Sequence, residues 1–291
     1  MDGSTVVLAP AKLNLALHVT GRRPDGYHLL DSLVAFTRFG DRLTIAPGDE
    51  DSFVISGPFA AGLMADDTNL VIRARDALRH TYGNRSPVSI ALEKNLPVAS
   101  GVGGGSSDAA AVLKGLADIW KLDASDADLA RIGLPLGADL PMCLAAKPLL
   151  ARGIGDEITP VPGMASLGIV LVNPGVAVST ANVFAALANR DNEPLPPLPT
   201  TLDFHGLCNW LETTRNDLEA PAQRVQPAIN GALSALRKGG AHFVRMSGSG
   251  ATCFGLFESG NVAKRAATTI RERKPGWFVA ATRNIPSEDV A

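Results

Sequence analysis

Apolar and polar residues alternate along the first part of the chain, and this period of two predicts a β-strand that begins at Val6. One face of the strand carries Leu13, Leu15, Leu17 and Val19, and the other carries Lys12, Asn14, Ala16 and His18. A turn over 21–26 and a second strand over 27–36 complete a hairpin. Strands over 41–46 and 52–56 extend the antiparallel sheet. The alternation alone leaves open whether the Lys12 face lines a site or faces solvent.

Apolar positions three and four residues apart predict helices in the next part of the chain. Helices are expected over 68–82, 107–121 and 126–132, with a strand over 88–94. The first has Thr68 or Asn69 as its N-cap and Gly83 at its end. The second has Ser106 or Ser107 as its N-cap, and its apolar face carries Ala109, Val112, Leu113, Leu116 and Trp120.

The second half of the chain mixes helices with antiparallel strands, which is typical of an α+β fold. Strands are expected over 149–155, 157–161, 167–173, 242–246, 252–257 and 277–283, and helices over 180–188 and 262–273. Helical periodicity over 216–238 is expected to be interrupted by Pro221 and Pro227. A proline-rich stretch over 193–199 is expected to be an exposed linker. Turn residues over 160–163 predict a domain boundary, which gives two domains, 1–160 and 161–291.

Charge and composition narrow the class of protein. The 291 residues carry 27 Lys and Arg against 29 Asp and Glu, and a formal charge of -2 gives no basic surface for nucleic acid or an anionic membrane. No run of about twenty apolar residues is present, so a cytoplasmic protein is expected. Cys143, Cys208 and Cys253 are odd in number and lack C-x-x-C spacing. They are therefore expected to be buried free thiols, not disulfides or a zinc site.

The stretch over 97–108 (PVASGVGGGSSD) concentrates glycine immediately before the second helix. Gly101 and Gly103–Gly105 can adopt positive φ and turn successive N–H groups toward one anion. A helix N-terminus then adds its own unpaired N–H groups, so the pattern predicts a phosphate site. It is not a Walker A loop, because Ser106 stands where lysine is required, and it fails the G-x-G-x-x-G spacing. A flexible turn before a buried helix is the alternative.

Two further features carry candidate chemistry. Asp139 lies in the apolar stretch 133–141, where a carboxylate usually caps a helix, and Pro141 fits a helix start. A second glycine turn, 247–251, lies between two predicted strands.

Three segments, in this order, resemble the GHMP kinase superfamily: PAKLNL at 10–15, the glycine and serine loop at 97–111, and MSGSGAT at 246–252. The match spans nearly the whole chain. Within the superfamily, GRRPDGYH at 21–28, the triple glycine at 103–105 and GADLP at 137–141 are similar to members that act on a cytidine diphosphate alcohol.

The resemblance implies a fold and a reaction. The N-terminal domain would be an α/β domain like ribosomal protein S5, the C-terminal domain a ferredoxin-like α+β domain, and the active site would lie in the cleft between them. ATP would donate its γ-phosphoryl group to a substrate hydroxyl. By this analogy Asp139 accepts the hydroxyl proton and Lys12 keeps that carboxylate ionised. An ordinary ion pair between Lys12 and Asp139 is the structural alternative.

The resemblance also assigns binding residues. The ATP loop would comprise Pro97, Val98, Ala99, Ser100, Gly101, Val102, Gly103, Gly104, Gly105, Ser106 and Ser107. The substrate site would comprise Asn14, Tyr27, His28, Thr180, Phe184, Ser247, Gly248, Ser249 and Gly250, with the aromatic rings around the cytosine. Each aromatic residue could instead fill the core.

The analogy also concerns the metal ion and the runner-up functions. Mg²⁺ is expected with ATP, held by phosphates, water and Ser107, without a dedicated protein cage. Asp108 departs from the superfamily loop and is expected either to face away from the phosphates or to reach a water on the metal. The alternatives are another small-molecule kinase of the superfamily and a silent nucleotide-binding protein, and the sequence leaves the oligomeric state open.

Overall fold

The computed structural model describes residues 3–287. The strands are β1 Thr5–Arg22, β2 His28–Pro47, β3 Ser52–Ser56, β4 Val88–Glu93, β5 Leu149–Gly153, β6 Glu157–Pro160, β7 Gly168–Asn173, β8 Phe243–Met246, β9 Cys253–Phe257 and β10 Phe278–Arg283. The helices are α1 Leu70–Tyr82, α2 Gly104–Ile119, α3 Asp126–Gly133, α4 Leu140–Ala145, α5 Thr180–Ala185, α6 Phe204–Glu212, α7 Glu219–Val225, α8 Ala228–Lys238 and α9 Gly260–Arg273.

The strands form two sheets, one of order β3-β4-β2-β5-β6 with β1 paired to β2, and one of order β10-β7-β9-β8. The four-stranded sheet is antiparallel throughout, whereas β3 and β4 pair in parallel. Helices and largely antiparallel strands in the same chain confirm the α+β prediction.

The contacts divide the chain into two compact units that interleave along the sequence. Among the described residues, the first contains 3–11, 40–98 and 103–146, and the second contains 12–39, 99–102 and 147–287. The glycine stretch is thus shared between them. The boundary near residue 160 stays a prediction.

In the first unit, α2 packs closely on the sheet. Its central run of three alanines favours helix, and Leu113 and Leu116 are fully buried. A Cβ atom at Gly115 would lie 2.6 Å from the side chain of Ile45 and 3.1 Å from that of Val7. Glycine therefore lets the helix lie close to the sheet without displacing the end of the Ile45 side chain.

In the second unit, the core lies between the four-stranded sheet and helices α8 and α9. Each of β7 and β9 is buried along its full length. Leu233 and Leu236 of α8 and Ile270 of α9 belong to this core. Continuous apolar strands covered by amphipathic helices explain why this part of the sequence gave correct expectations.

A buried lysine joins three elements of the first unit. The Nζ atom of Lys94, just after β4, lies 2.6 Å from Asp41 Oδ2 on β2 and 2.5 Å from Asp108 Oδ2 on α2. All three side chains are at most 5% exposed. The other oxygen of Asp41 accepts hydrogen bonds from the backbone N–H groups of Asn95 and Leu96. The cluster therefore fixes the chain that leads into the glycine stretch.

The cluster holds two carboxyl groups against one ammonium group. Burial works against the charge of Lys94, but the carboxylates of Asp108 and Asp41 outweigh it and raise the pKa of the lysine. Burial has the largest effect on Asp108 and, with repulsion from Asp41, raises its pKa to about 7 despite Lys94. Asp108 is therefore the member of the cluster that takes up a proton near neutral pH.

Many local expectations are confirmed. β3 spans Ser52–Ser56 as predicted, but it pairs in parallel with β4 and does not extend the sheet in the antiparallel sense that was expected. α1 is capped by the side chain of Asn69 and ends at Gly83 in the left-handed conformation. α3 is present, and it begins with a capping box at Ser125 that was not predicted. The predicted hairpin of β5 and β6 is present. The three cysteines are buried and free.

Strands are present over 27–36 and 41–46, but the break predicted between them is wrong, because β2 runs through both as one strand. At Gly40 a Cβ atom would lie 2.0 Å from the carbonyl oxygen of Ala9. That glycine therefore marks the close approach of β2 to β1, not a turn.

The helical stretch over 216–238 is interrupted as predicted at Pro227, which starts the second of two helices, α7 and α8, but not at Pro221, which lies within α7. Two further points need correction. α6 was missed, although Asp203 caps it through its side chain. The stretch over 193–199 is not a free linker, because Leu195 is buried and the Trp210 indole N–H donates to the Pro197 carbonyl.

The raised pKa of Asp108 predicts a specific pH dependence of stability. The carboxyl group binds its proton more tightly in the folded protein (pKa about 7) than in the unfolded chain (3.8), so its contribution to stability declines as pH rises from 4 through 7. Asp108→Asn cannot titrate. In urea unfolding, the free energy of unfolding of the variant relative to that of the wild type should rise by on the order of 2 kcal/mol between pH 5 and pH 8.

Parallel stability profiles of the wild type and Asp108→Asn across this range would contradict the raised pKa. Asp51→Asn serves as a control, because its partner Arg79 holds the pKa of Asp51 at about 2. That substitution should shift stability by a constant amount between pH 5 and pH 8.

Candidate functional site

Helix α2 begins at Gly104, within the glycine stretch and three residues earlier than predicted. Gly103 is the N-cap residue in the left-handed conformation (φ 66°), and it offers no side chain to the first helical N–H groups. The predicted caps, Ser106 and Ser107, lie inside the helix. Gly104 and Gly105 are helical as well, so the expectation of positive φ holds for Gly101 and Gly103 alone. An uncapped helix start with an adjacent positive-φ glycine is suited to bind phosphate.

Two side chains of α2 turn to other partners. The Ser107 hydroxyl donates to the Pro10 carbonyl (2.8 Å), so it serves as a tie to β1. Asp108 binds Lys94, and its second oxygen is buried without a hydrogen-bond partner in the described part of the chain. Of the two expectations for Asp108, the one in which it faces away from the phosphates agrees with this pairing.

The middle of the glycine stretch, 99–102, belongs to the second unit and is held there by its carbonyl groups. Ser100 O accepts from Thr252 N (3.1 Å), and Val102 O accepts from Lys12 N (2.9 Å). Ala99 has a positive φ of 49°. Before it, Pro97 is half-buried and Val98 is 48% exposed.

The N-terminal motif and the C-terminal glycine turn meet in the second unit. Ser247 Oγ accepts from Asn14 N (3.1 Å) and donates to Gly101 O (2.9 Å). A Cβ atom at Gly101 would lie 2.4 Å from Ser247 O, so this contact requires glycine. Three segments remote in sequence are thereby joined, as the combined motifs suggested.

Asn14 carries a buried acceptor without a partner. Its Nδ2 group donates to Ser32 Oγ (2.8 Å), which donates in turn to Ala16 O. Its Oδ1 atom is buried and makes no hydrogen bond to any described residue. Such an atom is costly to bury unless a ligand donor reaches it. Sequence reasoning missed Ser32, and a lone serine in a buried strand gives no signal.

The predicted aromatic residues divide into a pair and a single residue. His28 and Phe184 stack with ring centroids 4.5 Å apart and planes at 22°. Burial, with the positive charges of Arg22 and Arg190, lowers the pKa of His28, so this ring is neutral at pH 7. Its Nε2 atom has no partner among the described residues. Tyr27 is 59% exposed and lies outside this stack.

Other predicted residues are placed within their own units. Thr180 begins α5, and its hydroxyl shares a hydrogen bond of 2.7 Å with the hydroxyl of Ser249. Lys12 is 6% exposed on β1 of the second unit. Asp139 is the N-cap residue of α4 in the first unit, as predicted, but its side chain does not cap the helix. Gly248 and Gly250 have positive φ values of 54° and 85°.

The described side chains give no indication of a dedicated metal cage. No group of three or more His, Cys, Asp or Glu residues within 3–287 is arranged to hold a metal ion. Over the same residues, none of the helices combines the length and the apolar character that a membrane span requires.

Comparison with known proteins was made by sequence and by structure. The family model of the GHMP kinases N terminal domain matches residues 69–147, and that of the GHMP kinases C terminal matches 203–276. The 4-diphosphocytidyl-2-C-methyl-D-erythritol kinase of Mesorhizobium japonicum is 69% identical over 288 residues, which cover 98% of each chain. The protein of the same name from Brucella melitensis is 55% identical, over 96% of this chain and 95% of its own.

Solved structures agree with this assignment. A crystal structure of 4-(cytidine 5'-diphospho)-2C-methyl-D-erythritol kinase matches with a TM-score of 0.80 and 34% identity, covering 96% of this chain and 99% of its own. Homoserine kinase from Cytophaga hutchinsonii matches with a TM-score of 0.69 at 18% identity, over 99% and 97% of the two chains, and thus shares the fold. The chain therefore belongs to the GHMP kinases and, within them, to the 4-diphosphocytidyl-2-C-methyl-D-erythritol kinase family.

Proposed function

We propose that this protein transfers the γ-phosphoryl group of ATP to the 2-hydroxyl of 4-diphosphocytidyl-2-C-methyl-D-erythritol. The products are the 2-phosphate and ADP, and the step belongs to non-mevalonate isoprenoid biosynthesis. The observation that carries the proposal is the 69% identity, over 98% of both chains, to the Mesorhizobium japonicum kinase. The cytoplasmic location stays a prediction from composition.

The start of α2 supports ATP as the donor. Phosphate oxygens would accept hydrogen bonds from the backbone N–H groups of Gly104, Gly105 and Ser106, which no side chain caps. The positive end of the helix dipole adds to this attraction. Because phosphoryl transfer has a loose transition state, holding these oxygens in line with the acceptor is a large part of the catalysis.

Lys12 and Asp139 are proposed as the catalytic residues. Asp139 would accept the proton of the attacking hydroxyl, because it occupies the acidic position of the GADLP motif at 137–141. Lys12 would stabilise the negative charge that develops on the attacking oxygen and on the transferred group. Its ammonium group is carried on a buried strand position, so its charge is weakly screened by water.

The stacked pair His28 and Phe184 is proposed to hold the cytosine ring. Base rings bind aromatic faces by stacking, and a neutral imidazole can donate to or accept from the base edge. Tyr27, next to His28, is exposed enough to close over the base. Asn14 Oδ1, which is buried without a partner among the described residues, would accept a hydrogen bond from a hydroxyl of the alcohol portion.

Mg²⁺ is proposed to enter with ATP, bound mainly by phosphates and water. It would neutralise phosphate charge during transfer. The hydroxyl of Ser107, the candidate protein ligand, donates its hydrogen to Pro10 O. Ser107 would therefore bind the metal ion through a lone pair of its hydroxyl oxygen.

The proposed function is tested by ATP consumption with a panel of alcohols: the cytidine diphosphate alcohol, mevalonate, homoserine and galactose. Turnover should be at least about a hundredfold faster with the cytidine compound, and Asp139→Asn should lower it by roughly 10²–10⁴-fold with unchanged ATP affinity. Preference for another alcohol would identify a different GHMP kinase. No turnover with any alcohol would identify a silent nucleotide-binding protein, and full activity of Asp139→Asn would remove its role as the base.

The phosphate site is tested by Gly103→Ala. Alanine at a φ of 66° is strained, and relief of that strain would move the backbone N–H groups that follow at the start of α2, so ATP should bind about tenfold or more weakly. Gly62→Ala is the matched control, because Gly62 also has a positive φ (82°) but open space around it. Calorimetric titration with ATP, without the alcohol, measures both. Equal ATP affinity of the two folded variants would place the phosphates elsewhere.

The cytosine site is tested by Phe184→Ala. Loss of stacking worth about 1–3 kcal/mol should raise KM for the cytidine substrate by roughly tenfold or more and leave KM for ATP unchanged. Val183→Ala is the matched control, because Val183 is the fully buried neighbour on α5. It should lower the melting temperature without changing either KM. A Phe184→Ala variant with reduced melting temperature and unchanged KM would show that this ring only fills the core.

A further inference from the structure

Two side chains of the segment Asn216–Glu219 form hydrogen bonds with the backbone at the start of the C-terminal glycine turn, Ser247–Gly250. These contacts are called the Asn216 clamp. Asn216 Nδ2 donates to Met246 O and to Gly248 O, both at 2.8 Å. Glu219 Oε2 accepts from Met246 N, also at 2.8 Å. One amide and one carboxylate thus hold three backbone groups on a stretch of three residues.

These bonds add to the backbone hydrogen bonds of the turn, from Gly250 N to Ser247 O and from Ser247 N to Thr252 O. Gly248 and Gly250 have positive φ values and no side chains, and glycine backbone is entropically costly to order. Side chains of the turn contact the candidate site: Ser247 Oγ binds Asn14 N and Gly101 O, and the Ser249 hydroxyl binds that of Thr180. The turn therefore connects the Asn216 clamp to the candidate site.

The clamp is itself anchored to β1. Arg215 O accepts from Leu17 N, and Asp217 N donates to Leu17 O, so the segment runs beside the strand that carries Asn14. Asp217 Oδ2 accepts from Val19 N at 2.7 Å. Asn216 is 6% exposed, and its Oδ1 atom accepts from Leu218 N. Every polar atom of the amide is therefore used, which fixes its orientation.

We propose that Asn216 and Glu219 are positioning residues for the alcohol substrate. They bind no substrate atom; they hold the backbone of the Ser247–Gly250 turn in register with β1, so that the Ser249 and Thr180 hydroxyls and Asn14 Oδ1 form one binding surface. The inference rests on the proposed function, because it assigns the turn to the substrate of that reaction. Neither the motif at 10–15 nor the motif at 246–252 includes this segment.

The first arm of the test needs no substrate. Hydrogen exchange of the peptide covering 246–251 should be faster by about tenfold or more in Asn216→Ala, because two hydrogen bonds to the turn are lost. Asp217→Ala is the matched control, since the Asp217 side chain binds β1 and not the turn, and the two backbone bonds between the segment and Leu17 remain in this variant. It should leave exchange of this peptide unchanged. Equal exchange in both variants would overturn the clamp.

The second arm measures kinetics. Asn216→Ala should lower kcat/KM for the cytidine substrate by about tenfold or more, whereas Asp217→Ala at a similar melting temperature should stay within about twofold. Glu219→Gln keeps an acceptor for Met246 N and should restore activity that Glu219→Ala loses. Equal losses in Asn216→Ala and Asp217→Ala, or no rescue by glutamine, would reduce the segment to a structural role. Absent wild-type turnover would overturn the proposed function, while hydrogen exchange would still decide whether Asn216 fixes the turn.

Discussion

The buried ammonium group of Lys94 is the interaction on which the first unit depends. It lies between the carboxyl groups of Asp41 and Asp108 and thereby joins β2, the end of β4 and the first turns of α2. A buried charge cluster of this kind adds little net stability, but loss of one partner leaves an uncompensated charge in the interior. Its value lies in geometry, because the same three residues set where the chain leaves β4 and where α2 begins, and hence where the glycine stretch is held.

Much of the fold could be predicted from local pattern. The alternation at 52–56, the cap at Asn69 and the terminating Gly83 each act within a few residues, and the structure contains them as expected. The errors arose where the role of a glycine depends on tertiary structure and not on the residues next to it in sequence. Gly40 resembles a turn residue, but it serves the close approach of two strands, which only the carbonyl of Ala9 reveals. Likewise, the start of α2 depends on Gly103 adopting the left-handed conformation, which no helix periodicity encodes.

The same distinction applies to the candidate site, where the motif residues could be predicted from the sequence and the residues that hold them could not. Asn14, Gly101 and Ser247 could be grouped from their motifs, and the structure joins them through one serine hydroxyl. The partners that hold them were not predictable, because Ser32 and Asn216 are ordinary polar residues in unremarkable stretches and reach their targets only after β1 is in place. A motif marks residues whose chemistry is unusual, whereas the residues that support them are distinguished only by tertiary contacts.

A Cβ atom at Gly101 would lie only 2.4 Å from the carbonyl oxygen of Ser247, and this close contact also bears on how such enzymes can diverge. The glycine stretch and the C-terminal turn fit one another at backbone level, so neither can be exchanged alone between distant homologues without a collision or a void. A recombinant that grafts the loop of another GHMP kinase onto this chain would have to bring the matching turn with it. The two segments are therefore expected to behave as one unit of inheritance, although almost 150 residues separate them along the chain.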